Sequence, residues 1–531
     1  MANITIDGKP FTVKDGITII EAIDQVKSEL PRYCYHPGLS IAGNCRICQV
    51  EVEKMPGTVI ACNTRVAEGM VIHTKSPKAK ESQQIVLEFL LANHPLDCPV
   101  CDQAGECKLQ DYYMEYGLYD AKFNETKVKK TKKAKSVGPT VMLDQERCVL
   151  CSRCVRFGDE ITKTHDFGIF NRGHNASVDI YPGQELNNKY SGNVVDICPV
   201  GALTDKDFRF KMRVWYLGKQ ESVCPGCSRG CNITVEYEKS RPYHLKNARV
   251  MRLKPRTNPD VNQWWMCDEG RYAYKSIDEN RLTSLKLSNA SLAATEWTRT
   301  LDEVAGMLKK AIVSRWALIS SAQCTNEELF LQKKVFVDTL KWKQIAYHAT
   351  GQDGFEDSFL IKKDKNPNTA GASCILGLDE TVGDISQVVE KAKRGDLDGL
   401  VVFHHDLAKV FGQEALKVIR QNVKHIIYIG TNTNPTASAA DCVLPSVSYA
   451  EKDGTFTNFQ GRVQRIRKAI EPLAGTLADW DILLNLSARL GLTLKYIRPE
   501  HIFEDLAKDN GAFKDMSYKK LSHQGLVWSK V

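Results

Sequence analysis

The chain has no apolar run long enough to cross a bilayer. Its first residues, MANITIDGKPFTV, lack the charged-then-apolar pattern of a secretory leader and the Arg- and Ser-rich character of a transit peptide. The expectation is a chain that folds on the cytosolic side, or in an organelle matrix after processing. Beyond residue 275 there is no G-x-G-x-x-G and no G-K-[ST] loop, which leaves dinucleotides and nucleoside triphosphates without their usual cradle. Cysteine is also scarce there. Cys324, Cys374 and Cys442 stand singly and read as small buried hydrophobes.

At 531 residues the chain is long enough for three or four domains, and its 43% hydrophobic and 26% charged residues are ordinary for a globular protein. The net charge of +8 raises nucleic acid as a partner. However, the Lys-rich stretch 127–135, KVKKTKKAK, has no interleaved aromatics and reads as a solvated linker loop, so no nucleic acid is expected.

What the chain does have is cysteine in one half. Fifteen of its eighteen cysteines, with one histidine, fall into four groups before residue 270. In a reducing compartment such groups are metal sites rather than disulfides.

The first group is Cys34-x10-Cys45-x2-Cys48-x13-Cys62. It follows an alternating segment turning at Asp7-Gly8, which predicts a type I′ hairpin, and a helical segment ended by Pro31. That order favours a β-grasp domain with a [2Fe-2S] cluster, where Gly43 permits close backbone approach. Zinc held by the same thiolates is the alternative.

The second group is His94-x3-Cys98-x2-Cys101-x5-Cys107. The histidine closes the helical segment ESQQIVLEFLLANH and can face the cysteine loop as the fourth ligand of a [4Fe-4S] cluster. Exchanging thiolate for neutral imidazole removes one negative charge. Zinc with three thiolates and an imidazole is the rival here.

The third group, Cys148-x2-Cys151-x2-Cys154, opens a bacterial four-iron motif, but Gly158 stands where the fourth cysteine belongs. The cysteine-proline pair comes later as Cys198-Pro199. In two-cluster ferredoxins that cysteine serves the other half's cluster, so Cys198 completes the [4Fe-4S] set. The second cluster's own triplet would fall at Asn188, Ser191 and Val194, none a cysteine. The segment reads as a two-cluster ferredoxin that keeps one cluster.

The fourth group is Cys224-x2-Cys227-x3-Cys231-x35-Cys267. Its spacing, and CDEGRY from Cys267, resemble the N-terminal [4Fe-4S] site of molybdopterin oxidoreductases, though the last gap is wider. Zinc or an empty set is the alternative.

Each oxidised all-cysteine cluster adds about two negative charges and the histidine-ligated one about one, so a loaded chain sits near +1. Much of the basicity then reads as compensation for buried iron–sulfur anions.

Past residue 275, WALISSA leads into NEELFLQKKVFVDTL, and DGLVVFHH into ALKVIRQNV and HIIYIGTN, an α/β pattern with a parallel sheet. TASAADCVLPSVSYAEKDGTFTNFQGRVQ resembles the molybdopterin oxidoreductase fold. No metal-ligand Ser or Cys is recognisable there, and the segment reads as a truncated, degenerate domain kept for packing and docking. The fold class is multidomain α+β. Its expected segments are a β-grasp (1–78), a His-ligated cluster domain (79–118), a single-cluster ferredoxin-like domain (138–217), a molybdoenzyme-type cluster domain (218–274) and an α/β domain without pterin (275–531).

The order of the groups, with DCPVCDQAGECKLQD, CPVGALTDKDFRFKMRVW and EKDGTFTNFQGRVQ, resembles the large peripheral-arm iron–sulfur subunit of respiratory complex I, the G-type subunit in bacteria. The likeness is close to about residue 275 and weaker beyond. It implies NADH:quinone oxidoreductase activity shared across subunits. Electrons enter at a flavin in a neighbouring subunit, pass the two-iron and two middle four-iron clusters, and reach quinone near the membrane. The fourth cluster lies off that path. Expected partners are the flavin/NADH-binding, ferredoxin-like and quinone-site subunits, with membrane contact only through them, at the cytoplasmic face of the inner membrane. No flavin, molybdopterin or catalytic acid, base or nucleophile is expected on this chain. Competing readings are a formate dehydrogenase, lacking here a full pterin domain; an iron-only or NAD-linked hydrogenase subunit, lacking further cysteines or the second triplet; and a zinc scaffold.

Overall fold

A computed structural model describes residues 1–117, 120, 122–130, 133–239, 248–288, 290–348, 354–379 and 383–529. The chain forms two compact units, Met1–Leu217 and Gly218–Val531.

The first unit begins with the expected hairpin. Asp7 and Gly8 both take positive φ, 47° and 81°, which matches strand twist and pairs Ala2–Ile6 with Lys9–Val13. The sheet runs Lys9–Val13, Ala2–Ile6, Val71–His73, Gln49–Val52, Thr58–Ile60. Helix Ile19–Gln25 starts in a capping box between Thr18 and Glu21. Its Ile19, Ile20 and Ile23 share a core with Ile4, Val50 and Ile72, and Cys48 and Cys62 belong to that core. The two-iron candidate is therefore rooted in the β-grasp interior.

Ser76 caps helix Pro77–Asn93, and His94 ends it in extended conformation. The ensuing lysines correct the linker reading. Lys127 donates to the helix-end carbonyls of Leu91 (2.7 Å) and Ala92 (2.9 Å), Lys130 to those of His174 and Ala176 (both 2.7 Å), and Lys133 pairs with Asp97 and Glu146. Ammonium groups bind carbonyls left over at a helix C-terminus, so the segment is a strap rather than a solvated loop; Thr131 and Lys132 of that stretch lie outside the described residues.

The ferredoxin-like part has a sheet ordered Leu203–Asp205, Val141–Leu143, Lys135–Ser136, and a hairpin of Phe167–Phe170 with Ser177–Ile180. The positions of the missing triplet are otherwise engaged. Asn188 donates to Asp166 (2.8 Å), Ser191 bonds Thr140 (2.7 Å), and Val194 is buried.

The second unit holds a three-stranded sheet, Leu217–Val223, Asn232–Glu238, Val250–Pro255. It continues into a seven-stranded sheet ordered Ala290–Leu292, Leu285–Leu287, Cys442–Pro445, His425–Gly430, Gly399–Phe403, Trp316–Ile319, Ile345–Ala346. The last five are mutually parallel. Cores on both faces explain their unbroken apolar sequences.

EKDGTFTNFQGRVQ knits this unit together. Glu451 pairs with Arg249 and Arg281. Lys452, 4% exposed, binds Glu328 (2.6 Å) and Asp479 (3.0 Å), both fully buried. Thr455 engages Glu327, Asn458 donates to the Arg229 carbonyl (3.2 Å), and Gln464 binds Asn232 (2.5 Å) and the Gly230 carbonyl (2.9 Å). Removing one partner of a buried ion pair strands the others. Lys452→Met is therefore expected to destabilise this unit by about 3–5 kcal/mol, with Glu328→Gln on the same background restoring part of the loss; urea denaturation followed by tryptophan fluorescence measures both.

Candidate metal centres

In the first group the sulfurs of Cys34 and Cys45 lie 3.3 Å apart, and the Cys34 amide donates to Cys45 Sγ (3.4 Å). Cys62 hydrogen-bonds both Cys34 and Cys48. Hydrogen bonds from Cys45 and Cys62 pull Cys34 far down, and one from Cys62 lowers Cys48; Cys45 and Cys62 are pushed up in return. Four sulfurs thus share protons where a cation would replace them. Gly43 takes φ 61°, as the tight loop requires.

In the second group Cys98, Cys101 and Cys107 act on one another electrostatically. Burial pushes Cys107 to about 11 against the opposing amides of Gln110 and Leu109. Those amides open helix Lys108–Tyr116, for which Cys107 is the N-cap. His94 is held near 4 by burial, then by Arg147 and Lys127. Its imidazole is neutral, the form that ligates metal. Arg147 is the common neighbour of His94 and Cys101.

Cys148, Cys151, Cys154 and Cys198 line one cavity, walled by Leu143, Val149, Val178 and Val200. Burial pushes Cys148 and Cys198 to about 12. Cys224, Cys227, Cys231 and Cys267 line another, with Gly226, Gly270, Leu360 and Ile361. Burial raises Cys224 and takes Cys267 to about 11.

Several features fit the residues to iron–sulfur cores. A Cβ on Gly201 would sit 2.2 Å from Cys101 Sγ, and one on Gly270 would sit 2.9 Å from Cys224 Sγ. The backbone is bare where sulfur approaches. Gly270 N–H donates to Cys267 Sγ (3.3 Å) and Leu150 N–H to Cys148 Sγ (3.4 Å). The buried Tyr449 hydroxyl is without a hydrogen-bond partner among the described residues, and Tyr449 packs against the core that holds Cys224. The third and fourth sets each ring a void.

Sequence reasoning named these cysteines but missed the arginines between them. Arg147, 4% exposed, binds Asp97 (2.9 Å) and Asp144 (3.2 Å) and keeps its charge despite burial because Cys101 and Asp97 face it. Arg153 spans two groups, donating to the carbonyls of Ile197 (2.9 Å) and Tyr35 (2.5 Å). Burial pulls its guanidinium down while Cys151, Cys198 and Cys34 oppose. Arg156 donates to the carbonyls of Cys34 (2.6 Å) and Cys151 (3.2 Å). The available signal was Arg147 beside Cys148 and Arg153 beside Cys154.

Family models match along the chain. These are a 2Fe-2S iron–sulfur cluster binding domain over 1–77, an NADH-ubiquinone oxidoreductase-G iron–sulfur binding region over 83–122, an NADH-quinone oxidoreductase subunit 3 ferredoxin-like domain over 138–204, and molybdopterin oxidoreductase over 239–489. The G subunit of NADH-quinone oxidoreductase from Rickettsia bellii is 30% identical over 97% of this chain and 90% of its own length. The chain belongs to the family of NADH-quinone oxidoreductase G subunits. The G subunit from Rickettsia conorii is 28% identical over 97% of this chain and 91% of its own. The mitochondrial 78 kDa NADH-ubiquinone oxidoreductase subunit of Candida albicans is 29% identical over 93% and 83%. A solved NAD+-reducing [NiFe]-hydrogenase chain is 25% identical, covering 40% of this chain and 91% of its own, at TM-score 0.36.

Gly201→Ala places its Cβ against Cys101 Sγ. It is expected to displace that sulfur and lower metal bound at Cys98, Cys101 and Cys107 while sparing the Cys224 set, read as metal and sulfide per chain.

Proposed function

We propose that this chain is the electron-relay subunit of an NADH:quinone oxidoreductase. One [2Fe-2S] cluster is held by Cys34, Cys45, Cys48 and Cys62, and [4Fe-4S] clusters by His94/Cys98/Cys101/Cys107, by Cys148/Cys151/Cys154/Cys198 and by Cys224/Cys227/Cys231/Cys267. The observation that carries this reading is one continuous core in the first unit, shared by Cys34, Cys45, Cys107, Cys148, Cys151 and Cys198. Three of the four groups border that core.

When bound, the clusters supply one-electron acceptors and donors. The chain's own residues hold and insulate them. Leu87, Leu109 and Val200 exclude water from the shared core. Arg153 and Arg156 hold the first and third cysteine loops by their carbonyls, and Arg147 sets a positive charge beside the second. No acid, base or nucleophile is needed, and electrons come from and go to partner subunits, a flavin-bearing one and those nearest the quinone. The fourth group sits in the second unit, outside that core, and serves to stabilise its surroundings. The α/β sheet acts as scaffold, tied to the fourth group through Asn458 and Gln464. Among the described residues no helix is long and apolar enough to cross a membrane, and attachment is peripheral, through partners at the cytoplasmic face.

Anaerobically purified chain is expected to carry about fourteen irons, or about ten if the fourth set is empty. Stoichiometric zinc without iron overturns the reading. Cys198→Ala should remove one four-iron paramagnetic signal and keep the two-iron signal; loss of the Cys224 set's signal instead would refute the pairing.

A further inference from the structure

Three tyrosines, Tyr33, Tyr112 and Tyr116, line the core where the cysteine loops of the first unit meet. Two of them use their hydroxyls on protein. Tyr112 accepts the Arg32 amide (3.3 Å), and Tyr116 bonds Glu115. Tyr33 does not. Its side chain is fully buried, and its hydroxyl has no hydrogen-bond partner among the described residues. Its ring is fixed edge-on to Tyr112, with centroids 5.4 Å apart. Tyr112 lies on helix Lys108–Tyr116, for which Cys107 is the N-cap, and Cys107 packs against the same core as Tyr33. A buried hydroxyl without a partner is costly and rare, and its presence points to an acceptor that protein atoms do not supply.

We propose that Tyr33 donates a hydrogen bond to sulfur of the cluster held by His94, Cys98, Cys101 and Cys107, and thereby raises that cluster's reduction potential. The inference rests on the cluster reading above. Reduction adds one electron and hence one negative charge to the cluster. A donor fixed beside its sulfur stabilises the reduced form more than the oxidised one. The proton stays on the Tyr33 oxygen, so the step is electron transfer alone. Tyr33 adjoins Cys34 in sequence, so the residue that tunes the second cluster belongs to the first cluster's loop. The order of potentials along the relay is then set partly by how these two loops pack.

The test is a potentiometric titration of the full chain, followed by paramagnetic resonance, with and without Tyr33→Phe, which keeps the ring and removes the donor. The expected result is a lower midpoint for the His94-set cluster, a tenfold change in its reduction equilibrium or about 59 mV for one electron, with a smaller change in the two-iron cluster. An unchanged His94-set midpoint at full iron loading overturns the proposal, as does a shift confined to the two-iron cluster. If the phenylalanine variant fails to load, 3-fluorotyrosine at position 33 keeps ring and hydroxyl and strengthens the donor. Its midpoint should rise, and an unmoved midpoint overturns the proposal. Iron analysis of the unsubstituted chain separates the two levels: absence of iron sinks the cluster reading, while full iron with unmoved midpoints sinks only the role of Tyr33.

Discussion

A thiolate cannot stay charged in an apolar cavity unless a cation comes with it. That constraint organises both units. Burial pushes the sulfurs of the third and fourth groups up, toward the inert protonated form. A bound metal would reverse the preference, being the largest local charge. The rest of each site reduces the remaining negative charge through backbone amides on sulfur, a helix start at Cys107, and Arg147 and Arg153 close by. The positive net charge of the chain is thus partly placed, with named guanidiniums in the interior, not merely spread over its surface.

The grouping of the cysteines was legible because their spacing is dictated by loop geometry. The Cys-Pro rule linked Cys198 to a triplet more than forty residues upstream, and the structure lines one cavity with those four residues. The Asp7-Gly8 turn and the parallel sheet were legible for equally local reasons, a paired positive-φ dipeptide and unbroken apolar strands. What could not be read depends on distant packing. Gly201 looks like any glycine in a CPVGAL turn until Cys101 arrives against it. The lysines of 127–135 look solvated until helix-end carbonyls come within reach. Tyr33 and Tyr449 gave no signal, since a missing partner is visible only in three dimensions.

The α/β domain joins an apolar parallel sheet to a set of buried charges. Its apolar strands remain, while buried charge forms a closed set in which Lys452 answers Glu328 and Asp479, and Glu327 is met by Thr455 and Tyr518. Glu327 is still pushed to about 7 by burial. From the same segment, Asn458 and Gln464 reach the loops of the fourth cysteine group. A sequence string that looked like a family mark is thus a mechanical tie between the sheet and a cysteine loop.

The guanidinium clamps carry a kinetic consequence. Arg156 holds carbonyls from two cysteine loops at once, and Arg153 holds two more. Dipoles pinned in this way are already oriented and have little freedom to swing when charge arrives or leaves. The nuclear relaxation that accompanies each hop is correspondingly small. A low reorganisation energy lets current flow between sites of nearly equal potential without dissipating the driving force as heat.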